Sequence, residues 1–546
     1  MPIAMSSARW SACRRALLLA VICSAVTTAE AQKRGAAYTQ SVLAIQKQIE
    51  SGDLDGARAA IVSAAKQYPA DGGLENLLGV VEIQQGHLSA ARQAFLAAVR
   101  HDPQLTGAYL NLSRVDMQTA AKDAAARAEA LRMSEKVVQM DGANDEARYQ
   151  IATIDAWGKN YARSLAELER LSAQAQGAIG AQVLGCEVHA SLGHGEAADK
   201  AVHALAANPD LSEQDASVCA AALRTAHKPA LIVELLTASA ARQPLSPAGL
   251  RLLGLAQEAD GKLDQARATL EQAFAADSTS VVVLIDLTRV ARAAGDNQGA
   301  LGYLAHARDL QPKDASLPYE FGVICLQMGL YAEARKAIGE ALAIEPDNAE
   351  YNLGMGMVVS FSEDPGQAMP YLEKYHKMRP EDAEGLLALG GSLYRAKDYD
   401  NAISWLKQAA VHPSTAAEAH FYLGRVARQE GHVSEAISEL KESLHLQPDQ
   451  PSVLAELGQI AISQQNNAEA AAYLDRAVKI DPDNYAGNFG LLQLYARTND
   501  PRREQQAKRF EEVKGKRDAQ DLQMTRSFEI RRDGESNHPA EQKQKQ

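Results

Sequence analysis

Between residues 186 and 203 the chain gathers Cys186, Glu187, His189, His194, Glu196 and His203, the side-chain types that ligate transition metals. Thiolate, imidazole and carboxylate together hold zinc in four-coordinate sites. Cys186 and His189 are three residues apart and so share a helix face, with His194 in the turn that follows. Ligation would require donors from a helix, a turn and the next helix to converge, and no group that would orient the imidazoles accompanies them. They are read as ordinary groove and turn residues, and no metal is expected. Other chemistry is no better supported. HExxH, GxSxG, P-loop and strand–GxGxxG–helix patterns do not occur in the sequence, so neither a catalytic residue nor a cofactor is predicted. Alternation that would build a sheet beneath an active site is also missing.

The elements available to position side chains are helical. At 546 residues the chain exceeds one ordinary core, and its low aromatic content of 5% sits beside abundant Ala, Leu, Gln and Glu, all helix formers. Its 56 basic residues against 69 acidic ones give a net charge of −13, which argues against general nucleic-acid binding. Arg9, Arg14 and Arg15 precede an apolar run from Ala16 to Val26, and Ala29-Glu30-Ala31 offers a cleavage site. This predicts a signal peptide over 1–31, a mature start at Gln32, and export to the periplasm or beyond. The mature chain has no apolar stretch long enough to span a membrane as a helix. Three cysteines then remain, Cys186, Cys219 and Cys325. They are read as small buried hydrophobes, with a Cys186–Cys219 bridge as the alternative.

A 34-residue period organises the rest. In Ala315–Asn348 the fixed points are Phe321-Gly322 at positions 7 and 8, Gly329 at 15, Ala334 at 20, Ile338 at 24, Ala341 at 27 and Pro346 at 32. The same grid carries Leu78-Gly79 with Ala91 and Phe95, Leu253-Gly254 with Ala266, Met355-Gly356 with Ala368, Leu423-Gly424 with Ala436, and Leu457-Gly458 with Ala470. This spacing resembles the tetratricopeptide repeat. The resemblance covers roughly residues 38 to 500 and implies an all-α, right-handed superhelical solenoid of about fourteen helix-turn-helix units. Small residues at 8, 20 and 27 would let helices approach, large ones at 7 and 24 would fill between them, and glycine at 15 would make the turn. The expected organisation is an N-terminal array over 32–209, an irregular repeat or joint over 210–246 where Pro229 and Pro244 fall, and a C-terminal array over 247–500. A capping helix over 501–528 and a disordered tail over 529–546 complete it. Residues 501–546 hold 12 basic against 9 acidic residues, while the body from 32 to 500 holds 41 against 59.

In this family the first helix of each unit lines a concave groove with positions 2, 5, 9 and 12. By that resemblance the groove candidates are Arg289, Arg292, Tyr319, Tyr394, Phe421, Arg425, Arg428 and Phe489. Arginine forks suit carboxylates, and aromatics grip extended peptides at low entropy cost. Protein or peptide partners with acidic segments are therefore expected. The competing reading pairs the arginines with Glu350, Glu384 or Glu418. Position 6 reads Asp286, Glu320, Gly354, Ala388, Tyr422 and Glu456, so neither the chaperone-tail clamp nor the asparagine ladder of the O-GlcNAc transferase array is present. The resemblance implies a non-enzymatic scaffold or adaptor, and the signal segment places it in the cell envelope. The alternative is a regulatory or assembly subunit of an envelope, polysaccharide-export or secretion complex.

Overall fold

Packing between paired helices builds everything seen in the structure, a computed structural model that describes the backbone of residues 35–361 and 365–532 and side chains up to residue 517. The expected signal segment and the end of the tail, 533–546, lie outside the described residues. The fold is all α-helical, an array of helical hairpins with no strand among the described residues. The chain divides into two compact units between Ser278 and Thr279. Seven hairpins fill the first, from Ala36–Ser51 with Leu54–Gln67 to Pro247–Ala259 with Leu263–Ala276. The second runs from Val281–Ala293 with Asn297–Leu310 to Tyr485–Thr498 with the terminal helix Arg503–Arg532. In each hairpin the leading helix is called A and the returning one B.

The hairpin follows from its residues. Helix A of the unit at 315 spans Ser316–Gln327, Gly329 turns the chain at φ 76°, and helix B spans Tyr331–Ile344. Asn348 then accepts from the Tyr351 amide at 3.3 Å and caps the next helix A, as Asn484 does with the Gly487 amide at 2.8 Å. The left-handed turn is kept even where position 15 is not glycine, as at Lys159, His227, Lys397 and Gln465, with φ between 55° and 66°.

Inside each hairpin a glycine on helix A faces a large side chain on helix B. A methyl group added to Gly356, Gly390, Gly424 or Gly458 would stand 2.3–2.7 Å from the nearest carbon of Leu372, Leu406, Leu440 or Leu474. Those leucines are essentially inaccessible, as are Phe95 and Ile338 at the same position. Position 20 alanines from Ala57 to Ala470 are buried where B meets A, closely packed against the neighbouring helix. Position 27 is large in several units, and in one of them it holds Tyr375, which is 2% exposed. Gly385 on the next helix makes the room, since a methyl there would meet the Tyr375 ring at 2.4 Å. Ser164 replaces alanine at position 20 and donates its buried hydroxyl to the Ala152 carbonyl at 2.7 Å.

Residues 210–246 form a helix pair, Glu213–Thr225 and Pro229–Ala240, opened by a capping box between Ser212 and Asp215. Cys219, Leu223, Leu235 and Leu236 bury into a core running without a break from Val183 to Ala256. Each proline sits at the first turn of a helix or in a connection, where the missing amide costs nothing. At the C-terminus the helix Arg503–Arg532 packs on helix Tyr485–Thr498. Phe510 meets Phe489 and Tyr485 at ring distances of 5.4 and 5.1 Å, and Arg509 and Lys516 both bind Asp483. No helix among the described residues is long and apolar enough to cross a membrane.

Candidate functional site

Helix periodicity places positions 2, 5–6, 9 and 12–13 of helix A on one face. Four of the candidates meet there. Arg425 stands over the rings of Tyr394 and Phe421, its guanidinium carbon 5.1 and 5.5 Å from their centroids, and brings its Nε to 3.4 Å from Glu456 Oε1. Arg428 pairs with the other oxygen of Glu456 and donates to Gln459 Oε1 at 3.2 Å.

The remaining candidates divide. Arg289 donates to Asp286 Oδ1 at 3.0 Å and Arg292 to Gln327 Oε1 at 3.3 Å, so these two form a second basic patch on Val281–Ala293. Tyr319 lies against Tyr351 with the ring centroids 4.6 Å apart and the planes tilted by 37°, and packs with Ala315 and Ala341 at the edge of the core. Burial, reinforced by Glu350, holds its phenol above the usual range. Phe489 lies against Phe510 and belongs to the contact with the terminal helix. The structure also names different acidic partners from those expected: Asp286 and Glu456 take the arginines, while Glu350 pairs with Arg379. The acid at position 6 wins because it lies beside positions 9 and 12 on the same face.

Sequence reasoning missed residues at positions 6, 13 and 17 that complete the arrangement. Arg395 lies 4.1 Å above the Phe361 ring and donates to the Tyr422 hydroxyl at 2.8 Å. Tyr422 contacts Tyr394 at 5.6 Å and Phe421 at 5.8 Å. Phe361 in turn stacks on Tyr331 at 5.5 Å with the planes 15° apart. Phe361 and Tyr331 are 44% and 40% exposed. The result is a strip, Phe361–Arg395–Tyr422–Tyr394–Arg425–Phe421, in which two guanidinium groups are set among four rings over three A helices. A guanidinium over an open ring is worth about 0.5–1 kcal/mol, enough to hold the arginines in place. Burial raises the Tyr422 and Tyr394 phenols, with Arg395 and Arg425 opposing, so both remain neutral hydrogen-bonding groups at neutral pH. The signal was available, because 12 and 13 flank one another on a 3.6-residue turn.

The metal-type cluster is dispersed. Cys186 is buried beside Cys219, whose thiol accordingly titrates well above the ordinary range. His203 pairs with Glu234, and Glu196 faces solvent. Only His189 and His194 remain near each other, at a ring distance of 5.8 Å, and burial lowers the His189 imidazole. Among the described residues no three His, Cys, Asp or Glu side chains are placed to hold a metal ion. The three described cysteines are free and buried.

Tetratricopeptide-repeat family models match residues 44–106, 421–488 and 455–503, and a second such model matches 291–356. The model for subunit 3 of the anaphase-promoting complex, cyclosome, matches 366–443. No curated protein is significantly similar in sequence. Among solved structures the chain resembles one in the APC/C hetero-tetramer Cut9–Hcn1, at 12% identity over 84% of this chain and 96% of that one, with a TM-score of 0.37. It also resembles a tetratricopeptide repeat protein from Parabacteroides merdae ATCC 43184, at 15% identity over 45% and 98%, TM-score 0.42. A third likeness is to YrrB, described as a TPR protein with an unusual peptide-binding site, at 20% identity over 36% and 97%, TM-score 0.29. With matching models in both units, hairpins at the 34-residue period and the glycine–leucine interlock in successive units, this chain is a tetratricopeptide-repeat protein.

Proposed function

We propose that this protein is a non-enzymatic scaffold or adaptor of the cell envelope that holds extended peptide segments of its partners on the A-helix face of its second unit. The observation that carries the reading is the strip from Phe361 to Phe421. Its rings offer apolar contact area on side chains already fixed by packing, so little entropy is lost on binding. Its arginines offer planar donors for carboxylates. A peptide lying along successive A helices would thus meet rings and cations together, which suits an acidic segment with interspersed apolar residues. The envelope location rests on the n-region, apolar run and cleavage pattern of residues 1–31.

The alternative, a regulatory or assembly subunit that meets a membrane partner through 501–546, would need that segment's basic groups to face outward. Arg503, Lys508 and Lys514 do face solvent, whereas Arg509 and Lys516 are engaged with Asp483, and Arg517 lies over Tyr485 at 5.0 Å. These contacts tie the start of the segment to helix Tyr485–Thr498.

A peptide array varied independently in acidic and aromatic content tests the reading. The native chain should retain acidic–aromatic sequences, and the Arg395→Ala/Arg425→Ala variant should lose them while keeping its helicity. Equal retention by both chains would rule the strip out. Fractionation of the full-length protein tests the location: a species cut after Ala31 in the envelope fraction is expected, and an uncut cytosolic species would refute it.

A further inference from the structure

Arginines at positions 9 and 12 of one A helix, followed by a glutamate at position 6 of the next, occur twice in the second unit. One set is Arg289, Arg292 and Glu320; the other is Arg425, Arg428 and Glu456. In the first, Arg292 and Glu320 act on each other electrostatically. In the second the contact is direct, and one carboxylate serves two guanidinium groups.

That sharing is incomplete. Arg425 comes to Glu456 with its Nε at 3.4 Å, well beyond the 2.7–2.9 Å of a charge-assisted hydrogen bond. It retains access to solvent, being 36% exposed, while Glu456 is 19% exposed. Among the described residues Arg425 has no other ion pair. The local balance sets Arg395, Arg425 and Arg428 against Glu456, with Glu418 acting on the strip through Tyr422. The strip is thus cationic within a body that carries 41 basic against 59 acidic residues. A carboxylate arriving at Arg425 could use the fork in two-point geometry, which Glu456 does not achieve from its own helix.

We infer that Glu456 is an internal occupant of the peptide site, holding Arg425 and Arg428 until an acidic side chain of a bound peptide takes its place. The inference rests on the peptide-binding reading of the strip and names the selecting group: Glu456 sets how acidic a segment must be to bind. An incoming carboxylate competes with a tethered one, so neutral aromatic peptides bind without displacing it and gain nothing from its removal. Specificity then arises from a difference between the two classes of peptide.

Two labelled, end-blocked pentapeptides, Glu-Phe-Glu-Phe-Glu and Gln-Phe-Gln-Phe-Gln, serve as probes in fluorescence anisotropy with the whole chain. Glu456→Gln should tighten binding of the acidic peptide about tenfold and leave the neutral one within about twofold. Gln459→Glu, which adds a tethered carboxylate where Arg428 already donates, should weaken the acidic peptide about tenfold. Circular dichroism confirms that both variants remain folded. Unchanged or weaker acidic binding in Glu456→Gln would overturn the role of Glu456 while leaving the strip as a peptide site. Failure of all three chains to bind either peptide would overturn the site itself and the inference with it.

Discussion

Replacing Gly424 by alanine tests the interlock that defines the hairpin. The added methyl group would stand 2.7 Å from Leu440 Cγ, 2.9 Å from its Cδ2 and 3.2 Å from the Ala436 carbonyl oxygen. Leu440 and Ala436 are fully buried, so neither can swing away without moving helix Val433–Leu446. Overpacking of this kind costs about 1–3 kcal/mol. Against it stands the gain of about 1 kcal/mol from replacing glycine inside a helix, so the net loss is about 0–2 kcal/mol. Gly185 lies one residue before the corresponding position of its hairpin, which Cys186 fills, and a methyl there meets nothing within 4 Å. Gly185→Ala should therefore keep the helix gain alone and stabilise its hairpin by up to about 1 kcal/mol. The two substitutions are chemically identical and should have opposite signs. A chain of two units need not unfold in one step, so native-state hydrogen exchange read over peptides from 416–446 and 179–207 is the appropriate assay. Leu440→Ala supplies the cross-check. Alone it should cost about 2–5 kcal/mol, but in its presence Gly424→Ala should become neutral or favourable, since the clashing atoms are gone. Equal slowing of exchange by both glycine substitutions, or a Gly424→Ala penalty undiminished beside Leu440→Ala, would refute the steric account.

Other consequences are as specific. Lys397 and Gln465 hold left-handed turns at φ 63° and 66°, so Lys397→Gly or Gln465→Gly should stabilise its hairpin by about 1 kcal/mol, read as slower exchange over the flanking helices. Burial pushes the Cys325 thiol up to about 12. A thiol raised above its unfolded value adds stability that is complete below the unfolded pKa and fades as pH rises from that value toward 12. Cys325 should accordingly resist alkylation at pH 8 in the native chain and react on unfolding, as mass spectrometry of the labelled peptide would show. The Asp483 carboxyl is held low by hydrogen bonds from Lys516 and Arg509. A lowered carboxylate stabilises above its unfolded pKa and loses that effect as pH falls through the folded one. Exchange over 503–517 should thus accelerate selectively in acid, and Asp483→Asn should abolish the difference.

The fold was readable because the repeat writes its packing as residue size. Glycine at 8, alanine at 20 and a large residue at 24 are steric requirements, and each recurs where the backbones approach. Weak copies were harder to read. In 210–246 the burial of Leu223 and Leu235 and the Ser212 capping box carry the hairpin without that signature. Tyr375 was opaque for a related reason, since its size is tolerated only through Gly385 on another helix. The strip was half visible. Arg425, Arg428, Tyr394 and Phe421 follow from register, whereas Arg395, Phe361 and Tyr422 lie one residue off the positions considered. Which carboxylate would hold the arginines depended on side-chain reach across neighbouring A helices, a distance that sequence spacing alone does not supply.

The most direct test of the peptide-binding claim is site-specific photo-crosslinking of the full-length chain in the cell that makes it. A benzophenone side chain replacing Phe361 would sit on the strip. The same group replacing Val411, 76% exposed in the turn after helix Tyr399–Ala409, would sit away from it. The account predicts crosslinks from position 361 to a partner segment containing acidic and aromatic residues, lost when Arg395 and Arg425 are changed to alanine, and none from position 411. Crosslinks from position 411 with none from 361, or crosslinks at 361 that persist without the two arginines, would contradict it.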